Sequence, residues 1–267
     1  MMFTSKNRWY TTAVILFIVT LLVSALSALG LGFPHSQAEI LNAYGNLFVP
    51  VDFTFAIWVV IAIAMAFTLA LPWLKAGSQA FQAFYHERVM PYYVVWLLAS
   101  LLWLVFWSFD LVFLAFLAVL VYAGALLGLV RLIQQRADLN DRTPWLLKIP
   151  VGFHAGWVVF LAFVNFMTLM VKWGLNSFSY FDMVLTVILL VVACAAIFWL
   201  YDRYDNFALT VPTFWMLFGV MVKQRPDSAF AHPNAYVMGL AYVLMIGALA
   251  LHIKILKEHQ FSREAKV

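Results

Sequence analysis

Long apolar segments alternate with short polar ones along almost the whole chain, and charged residues gather between the segments rather than inside them. A helix needs about 20 apolar residues to cross about 30 Å of hydrocarbon. Eight segments approach this length, at residues 10–31, 53–74, 92–109, 111–130, 149–171, 183–201, 206–222 and 235–253. The pattern predicts an all-α fold, a polytopic transmembrane helical bundle of about eight spans that occupies residues 1–267 as a single domain.

Two of these segments need a separate argument. Segment 206–222 is short and contains Pro212, which removes a backbone donor, so it is the weakest of the eight. Residues 6–27 resemble a signal peptide, because Lys6 and Arg8 precede an apolar run that reaches small residues. That run continues to about residue 31 and is long enough to span a bilayer, so we expect a retained first helix.

The 16 Lys and Arg residues divide unequally between the two sides of an eight-span bundle. One side has three, Lys172, Lys223 and Arg225. The other side has Lys6, Arg8, Lys75, Arg88, Arg131, Arg136, Arg142, Lys148, Arg203, Lys254, Lys257, Arg263 and Lys266. Because basic residues favour the cytoplasmic side, we expect both termini to be cytoplasmic, in a bacterial inner (cell) membrane.

The composition is typical of an integral membrane protein: 66% of the residues are hydrophobic, 10% are charged, and the mean hydropathy is +0.94. We therefore expect the lipid bilayer as a partner and no separate extramembrane domain. Membrane topology accounts for the net charge of +4, so we expect no nucleic-acid partner. The single cysteine, Cys194, lies in an apolar run and has no partner for an intrachain disulfide.

Ionisable side chains are rare inside the predicted spans, where only His154 and His252 occur, near the cytoplasmic ends. Ion pumps and proton-coupled transporters keep such groups at membrane depth, so the pattern argues against a pump. The sequence also has no Gly-rich phosphate loop, CxxC pair, HExxH or GxSxG. We expect no metal site and no enzymatic activity. An enzyme that processes haem or another pigment through His154 is a third-ranked alternative.

Aromatic residues make up 18% of the chain, and several fall on one face of the third predicted span. Trp96, Ser100, Trp103 and Trp107 lie within an arc of about 60° at 100° per residue. Such a stripe is either a seam between packed helices or one wall of a ligand site.

Counting residues from the external ends of the predicted spans places further aromatic residues in the same outer half of the bundle. Trp58 lies about 8 Å inside the external end of the second span, and Trp103 and Trp107 lie near the external end of the third. The first external loop, residues 32–52, covers this region and contains no Lys or Arg. In the fifth span, Asn165 lies in the same outer half, either as a ligand contact or as an interhelical hydrogen-bond partner. We therefore predict a covered apolar pocket with one amide for orientation.

Three sequence segments resemble the TspO/MBR family, the tryptophan-rich sensory proteins and translocator proteins. Trp157, Phe160 and Asn165 keep the +3 and +8 intervals of the family's fifth helix. The segment FVPVDFTFAIW, which includes Pro50 and Trp58, is similar to the start of its second helix, and WLLASLLWLVFW is similar to its third. The resemblance covers residues 10–171 as a five-helix TspO-like core, with three additional transmembrane helices at 183–253.

The resemblance implies a protein that binds porphyrins, other tetrapyrroles, sterols or similar ligands, with a role in sensing or transport. We predict a membrane receptor or carrier for a flat hydrophobic ligand, with porphyrin or haem as a ligand and no obligatory cofactor. The predicted ligand-binding residues are Phe48, Pro50, Phe53, Trp58, Ser100, Trp103, Trp107, His154, Trp157, Phe160 and Asn165. The alternative is a structural or accessory membrane subunit whose aromatic stripes are packing seams. The sequence leaves open whether the chain forms a homodimer.

Overall fold

The computed structural model of the chain describes residues 5–74, 78–135 and 143–264, and these ranges contain helices joined by short loops and no strand. The all-α prediction is confirmed. The α-helices are α1 (Ser5–Ala28), α2 (Gln37–Ala43), α3 (Ile57–Ala70), α4 (Gln79–Phe84), α5 (Met90–Ser108), α6 (Val112–Gln134), α7 (Thr143–Lys172), α8 (Tyr180–Tyr204), α9 (Val211–Lys223) and α10 (Ala235–Glu264). Two 3₁₀ turns, Asp52–Ala56 and Phe207–Leu209, and a π-helical turn, Tyr85–Val89, complete the described elements.

Seven helical stretches of the described chain are long and apolar enough to cross a membrane. The third predicted span is longer than expected, because α4, the π turn and α5 run on without a break from Gln79 to Ser108. The fifth also begins earlier, since α7 continues through Pro150. Both extensions lie at the ends that we predict to be cytoplasmic, where the sequence is less apolar.

The seventh predicted span is the short one, a 13-residue α9 that begins with Pro212 in its first turn. It nevertheless connects the two ends of the bundle. Just before it, Asn206 Nδ2 donates to the Lys148 carbonyl near the start of α7 at 2.9 Å. At its end, Lys223 Nζ donates to the Val49 carbonyl of the first loop at 3.0 Å. The chain thus traverses the bundle eight times, seven of them with full-length helices.

Because eight traverses return the chain to its starting side, the start of α1 and the end of α10 lie at the same end of the bundle. Which side of a membrane this end faces stays a prediction from the positive residues. Four of those residues, Lys75, Arg136, Arg142 and Lys266, lie outside the described residues.

Five helices form a ring that is open at one seam. In order around the ring, α1 packs on α5, α5 on α6, α6 on α7, and α7 on α3. Helices α1 and α3 pack little against each other, so a gap remains between them. The outer face of α3 is apolar and accessible, with Val59 62% and Ile63 67% exposed, as expected for a surface in contact with lipid acyl chains.

Helix α10 packs on α8 and α9, and these two helices pack against α7, with a close backbone contact at the turn before α9. Gly152 and Gly156 lie one turn apart on α7 and face the 3₁₀ turn that precedes α9. A Cβ at Gly156 would lie 2.2 Å from the Leu209 carbonyl oxygen, and one at Gly152 would lie 2.4 Å from Asn206 Nδ2. Small residues four apart let membrane helices approach this closely, so the pair explains how the C-terminal unit is held.

Candidate functional site

A cavity of about 380 Å³ occupies the open seam between α1 and α3. Its lining is mostly apolar and comes from α1, the first 3₁₀ turn, α3 and α5, with single contributions from α2, α6 and α7. One wall is the face of α1 that carries Phe17, Thr20, Leu21, Ser24, Ala25 and Ala28. Leu21 and Val59, one on each side of the seam, are exposed at its outer edge. The cavity therefore opens sideways, toward the region that acyl chains would occupy.

Trp58 of α3 is the central side chain of the aromatic wall. Its ring centroid lies 6.0 Å from that of Trp103 at 31°, and 6.3 Å from that of His154 at 85°. Behind it, Trp157 of α7 packs edge-on at 5.9 Å. Three helices thus meet at one tryptophan, which fixes the spacing of the wall.

The floor of the cavity is formed by Trp96, Tyr122 and His154, which come from α5, α6 and α7. Trp96 and Tyr122 are stacked at 5.8 Å and 11°, and the His154 ring stands nearly perpendicular to Trp96 at 5.0 Å. The Tyr122 hydroxyl lies 2.5 Å from His154 Nε2. These three side chains are almost completely buried, so their polar atoms depend on partners inside the protein or in the cavity.

A second cavity of about 230 Å³ lies above the first, beneath the first loop and α2. The rings of Phe55, Trp58 and Trp103 line both cavities and form the partition between them. The upper cavity also contacts Trp107 and the exposed carboxylate of Asp52.

The short helix α2 closes the top of the upper cavity. A capping box begins it: the Ser36 N–H donates to Glu39 Oε2 at 2.7 Å, and the Glu39 N–H donates to Ser36 Oγ at 3.3 Å. These hydrogen bonds, the one from the Ser36 backbone first, hold the pKa of Glu39 below its usual value. Trp107 Nε1 donates to the Gln37 carbonyl at 3.3 Å and ties α2 to α5.

The C-terminal helices hold the rest of the first loop. Asn46 Oδ1 accepts from the N–H groups of Phe48 and Val49, and Lys223 Nζ donates to the Val49 carbonyl. From α8, the buried Asp182 carboxylate accepts from the Leu47 N–H at 3.3 Å. The backbone of residues 46–49 is therefore hydrogen-bonded to α8 and α9, which gives these helices a structural role above the cavity.

Five of the predicted site residues lie on the two cavities. Trp58, Ser100, Trp103 and His154 line the lower one, and Trp58, Trp103 and Trp107 line the upper one. The face of α5 predicted from spacing thus points inward. The lower cavity also extends deeper than the outer half of the bundle, because it reaches His154.

Three loop residues of the predicted site pack elsewhere. Phe48 is buried against Phe163, with ring centroids 6.4 Å apart. Pro50 packs against α9, where a Cβ at Gly219 would lie 2.9 Å from its Cβ. Phe53 is 45% exposed and contacts Trp215 of α9 at 5.7 Å.

The three α7 residues of the family motif support the wall from behind. Trp157 and Phe160 are buried and line neither cavity. Asn165 is fully buried with both polar atoms in use: Oδ1 accepts from Trp103 Nε1 at 3.0 Å, and Nδ2 donates to the Leu161 carbonyl at 2.9 Å. The amide therefore orients Trp103 rather than facing the cavity.

Several lining residues were absent from the sequence-based set, notably Gln37, Phe55, Met65, Trp96 and Tyr122. Trp96 belongs to the α5 stripe, so the helical spacing of that stripe could have included it in the predicted site. The α1 wall carries a signal as well, since small or polar side chains recur there at helical spacing. Tyr122 has no such signal, because it is a lone tyrosine in an apolar span.

Fold and site together define a class: an α-helical membrane protein with an aromatic cavity between its helices. The chain belongs to the TspO/MBR family, because the model of the TSPO-like protein family matches residues 9–257. The matched residues include α8, α9 and most of α10, beyond the five helices whose motifs carry the resemblance. No curated protein and no solved structure matches the chain. Family membership indicates a membrane-embedded ligand-binding or sensory protein.

Proposed function

We propose that this protein is a membrane receptor or carrier that binds a flat hydrophobic ligand, such as a tetrapyrrole or sterol, in the lower cavity. The observation that carries the proposal is the aromatic wall of Trp58, Trp96 and Trp103 around a cavity of about 380 Å³ that opens between α1 and α3. Cavities of this size and character are typical of small-molecule sites.

The lateral opening suits a ligand that is dissolved in the bilayer. Such a ligand gains little from leaving water, because acyl chains already surround it. Affinity must then come from ring stacking, close packing and hydrogen bonds, for which aromatic walls are well suited. Access from lipid through the seam requires no opening of the first loop.

Tryptophan quenching by protoporphyrin dimethyl ester, a neutral flat tetrapyrrole, tests this proposal. The purified chain is titrated alongside Trp58→Ala and a control, Trp199→Ala, whose side chain is 63% exposed on α8 and lines neither cavity. Loss of the central ring is expected to weaken binding about tenfold or more, whereas the control keeps its affinity. Equal affinity in both variants would refute the site. Absence of saturable binding, together with stoichiometric co-purification of another membrane protein, would favour the accessory-subunit alternative.

We also propose that the end of the bundle carrying both termini faces the cytoplasm. Arg8, Arg88, Arg131 and Arg203 belong to that end, and Lys172 and Arg225 belong to the other. Single cysteines introduced at Arg88 and Arg225 in a Cys194→Ala background, labelled with an impermeant maleimide on intact cells, provide the test. Labelling at 225 alone is expected, and labelling at 88 alone would reverse the orientation.

A further inference from the structure

Two buried ring nitrogens at the floor of the lower cavity have no hydrogen-bond partner among the described residues: Trp96 Nε1 and His154 Nδ1. Trp157 Nε1, behind Trp58 and outside both cavities, also has no partner among these residues. Two tryptophans that line the cavities are satisfied by the protein. Trp103 Nε1 has Asn165 Oδ1, and Trp107 Nε1 has the Gln37 carbonyl. Buried polar groups left without a partner are costly, and both side chains that carry them line the cavity. The side chains of the floor therefore have unmet hydrogen-bonding capacity, but the two nitrogens have almost no accessible surface, so a ligand atom reaches them only when the rings shift.

The contact with Tyr122 determines whether His154 Nδ1 is an unmet hydrogen-bond donor or an unmet acceptor. Its hydroxyl has His154 Nε2 as its partner, at 2.5 Å. When the hydroxyl donates, Nε2 accepts and the ring proton resides on Nδ1, which leaves one unmet donor on the histidine. When Nε2–H donates instead, both the Tyr122 hydroxyl hydrogen and the Nδ1 lone pair are unmet. The first arrangement leaves fewer unsatisfied groups, so His154 Nδ1 is a donor.

We infer that the floor of the cavity is a subsite for a neutral hydrogen-bond acceptor, a carbonyl oxygen of the ligand, which accepts from Trp96 Nε1–H and His154 Nδ1–H. The inference rests on the proposed function and narrows its ligand class to flat molecules with a carbonyl at one end. Both unmet groups are N–H donors, so a ligand N–H placed beside them would leave both donors without an acceptor. The lining of the lower cavity contains no Lys or Arg, so an ionised carboxylate would lose its hydration there without a countercharge.

Three rigid tricyclic probes of nearly equal size test the inference. Fluorene has no polar group, fluorenone presents a carbonyl, and carbazole presents an N–H. Affinities for the full-length protein in detergent are corrected for each probe's partition into empty micelles. Fluorenone is expected to bind about 5- to 10-fold more tightly than fluorene, and carbazole no more tightly than fluorene.

Two variants remove the donors, and a third serves as a matched control. Trp96→Phe and His154→Phe keep a ring at the floor but remove one N–H each, so the preference for fluorenone over fluorene falls in both. In Trp103→Phe the lost N–H is one that Asn165 already accepts, so the preference remains even if all three probes bind more weakly. The infrared carbonyl stretch of bound fluorenone gives a second readout. It lies below its value in hydrocarbon solvent for the unmodified protein and shifts upward in Trp96→Phe.

The outcomes separate the two claims. Equal affinity for all three probes, or a preference for carbazole, overturns the inference but leaves the cavity as a hydrophobic site. Failure of all three probes to bind saturably overturns the proposed function and the inference with it. If His154→Phe does not fold, the Trp96→Phe variant and the infrared band of the unmodified protein still test whether the floor binds a carbonyl.

Discussion

Gly156→Ala tests whether the C-terminal helices are held against α7 by direct backbone contact. The new Cβ would lie 2.2 Å from the Leu209 carbonyl oxygen and 3.2 Å from Leu209 Cα. Ordinary carbon contacts are near 3.5 Å, so the 3₁₀ turn must move by about 1 Å. A carbonyl in a hydrogen-bonded turn cannot rotate out of the way as a side chain can, and α7 also carries His154 and Trp157 beside this glycine.

The cost is calculated from two opposing effects. Overpacking at a close contact destabilises by about 1–3 kcal/mol. Alanine is a better helix former than glycine, which returns up to about 1 kcal/mol. We expect a net loss of about 1–2 kcal/mol in the free energy of unfolding. Gly124→Ala in α6 is the matched control, because nothing lies within 4 Å of a Cβ at that position and only the favourable effect applies.

Cys194 supplies the assay without further engineering. It is the only cysteine of the chain and is buried in α8, so a fluorogenic maleimide reacts with it only as the helices separate. For a chain of this size, each kcal/mol shifts a thermal midpoint by roughly 2–4 °C. The Gly156→Ala midpoint is expected to fall by a few degrees, and that of Gly124→Ala to stay or rise. Equal midpoints for the two variants would refute the close-contact argument.

Three further substitutions test other contacts. Tyr10→Phe removes a hydrogen bond of 2.8 Å from the Tyr10 hydroxyl of α1 to the Leu69 carbonyl of α3, which bridges the seam at one end. Stopped-flow measurement should then show faster ligand dissociation through the seam, whereas the control Tyr242→Phe should show no change. Asn165→Leu leaves Trp103 Nε1 without its acceptor and should lower the free energy of unfolding by about 1–3 kcal/mol in denaturant titrations; an unchanged value would contradict the hydrogen bond. Lys223→Met removes the donor to the Val49 carbonyl, so hydrogen exchange at residues 46–49 should accelerate while exchange in α6 stays the same.

The spans could be predicted because the bilayer imposes a length that hydropathy reveals. Residues 206–222 differ from a full-length helix because a 3₁₀ turn, Phe207–Leu209, precedes Pro212, and backbone contact with α7 stabilises that turn. Sequence patterns carry no signal of such a contact except the Gly152 and Gly156 pair, which is recognisable only once its partner is known.

The site was predictable where one helix determined the answer. Spacing within α5 grouped Trp96, Ser100, Trp103 and Trp107, and the structure places the first three on the lower cavity and Trp107 on the upper one. It could not show that Asn165, on another helix, is used to hold Trp103, or that Phe53 turns toward α9. Those outcomes depend on packing between helices that are distant in sequence. Spacing along a helix specifies a face, but the neighbouring helix decides whether that face lines a cavity or a packing seam.

The C-terminal helices contribute to the cavity without lining it. Trp215 of α9 donates to the Thr54 carbonyl at 2.7 Å, within the 3₁₀ turn that leads into α3. Residues of α8 and α9 bind the backbone of the first loop. Because Phe55 and Trp58 lie in and just after that turn, the position of the cavity partition depends on α9.

Photoaffinity labelling tests most directly whether a flat hydrophobic ligand occupies the seam between α1 and α3. A diazirine-bearing derivative of protoporphyrin dimethyl ester is bound to the protein in bilayers and activated by light, and its adducts are mapped by mass spectrometry. We expect adducts at Thr20, Ser24 and Met65, which line the cavity, and we expect excess unlabelled protoporphyrin dimethyl ester to abolish them. Adducts confined to the outer face of α3, at Ile63 and Phe67, and insensitive to competitor would contradict the account.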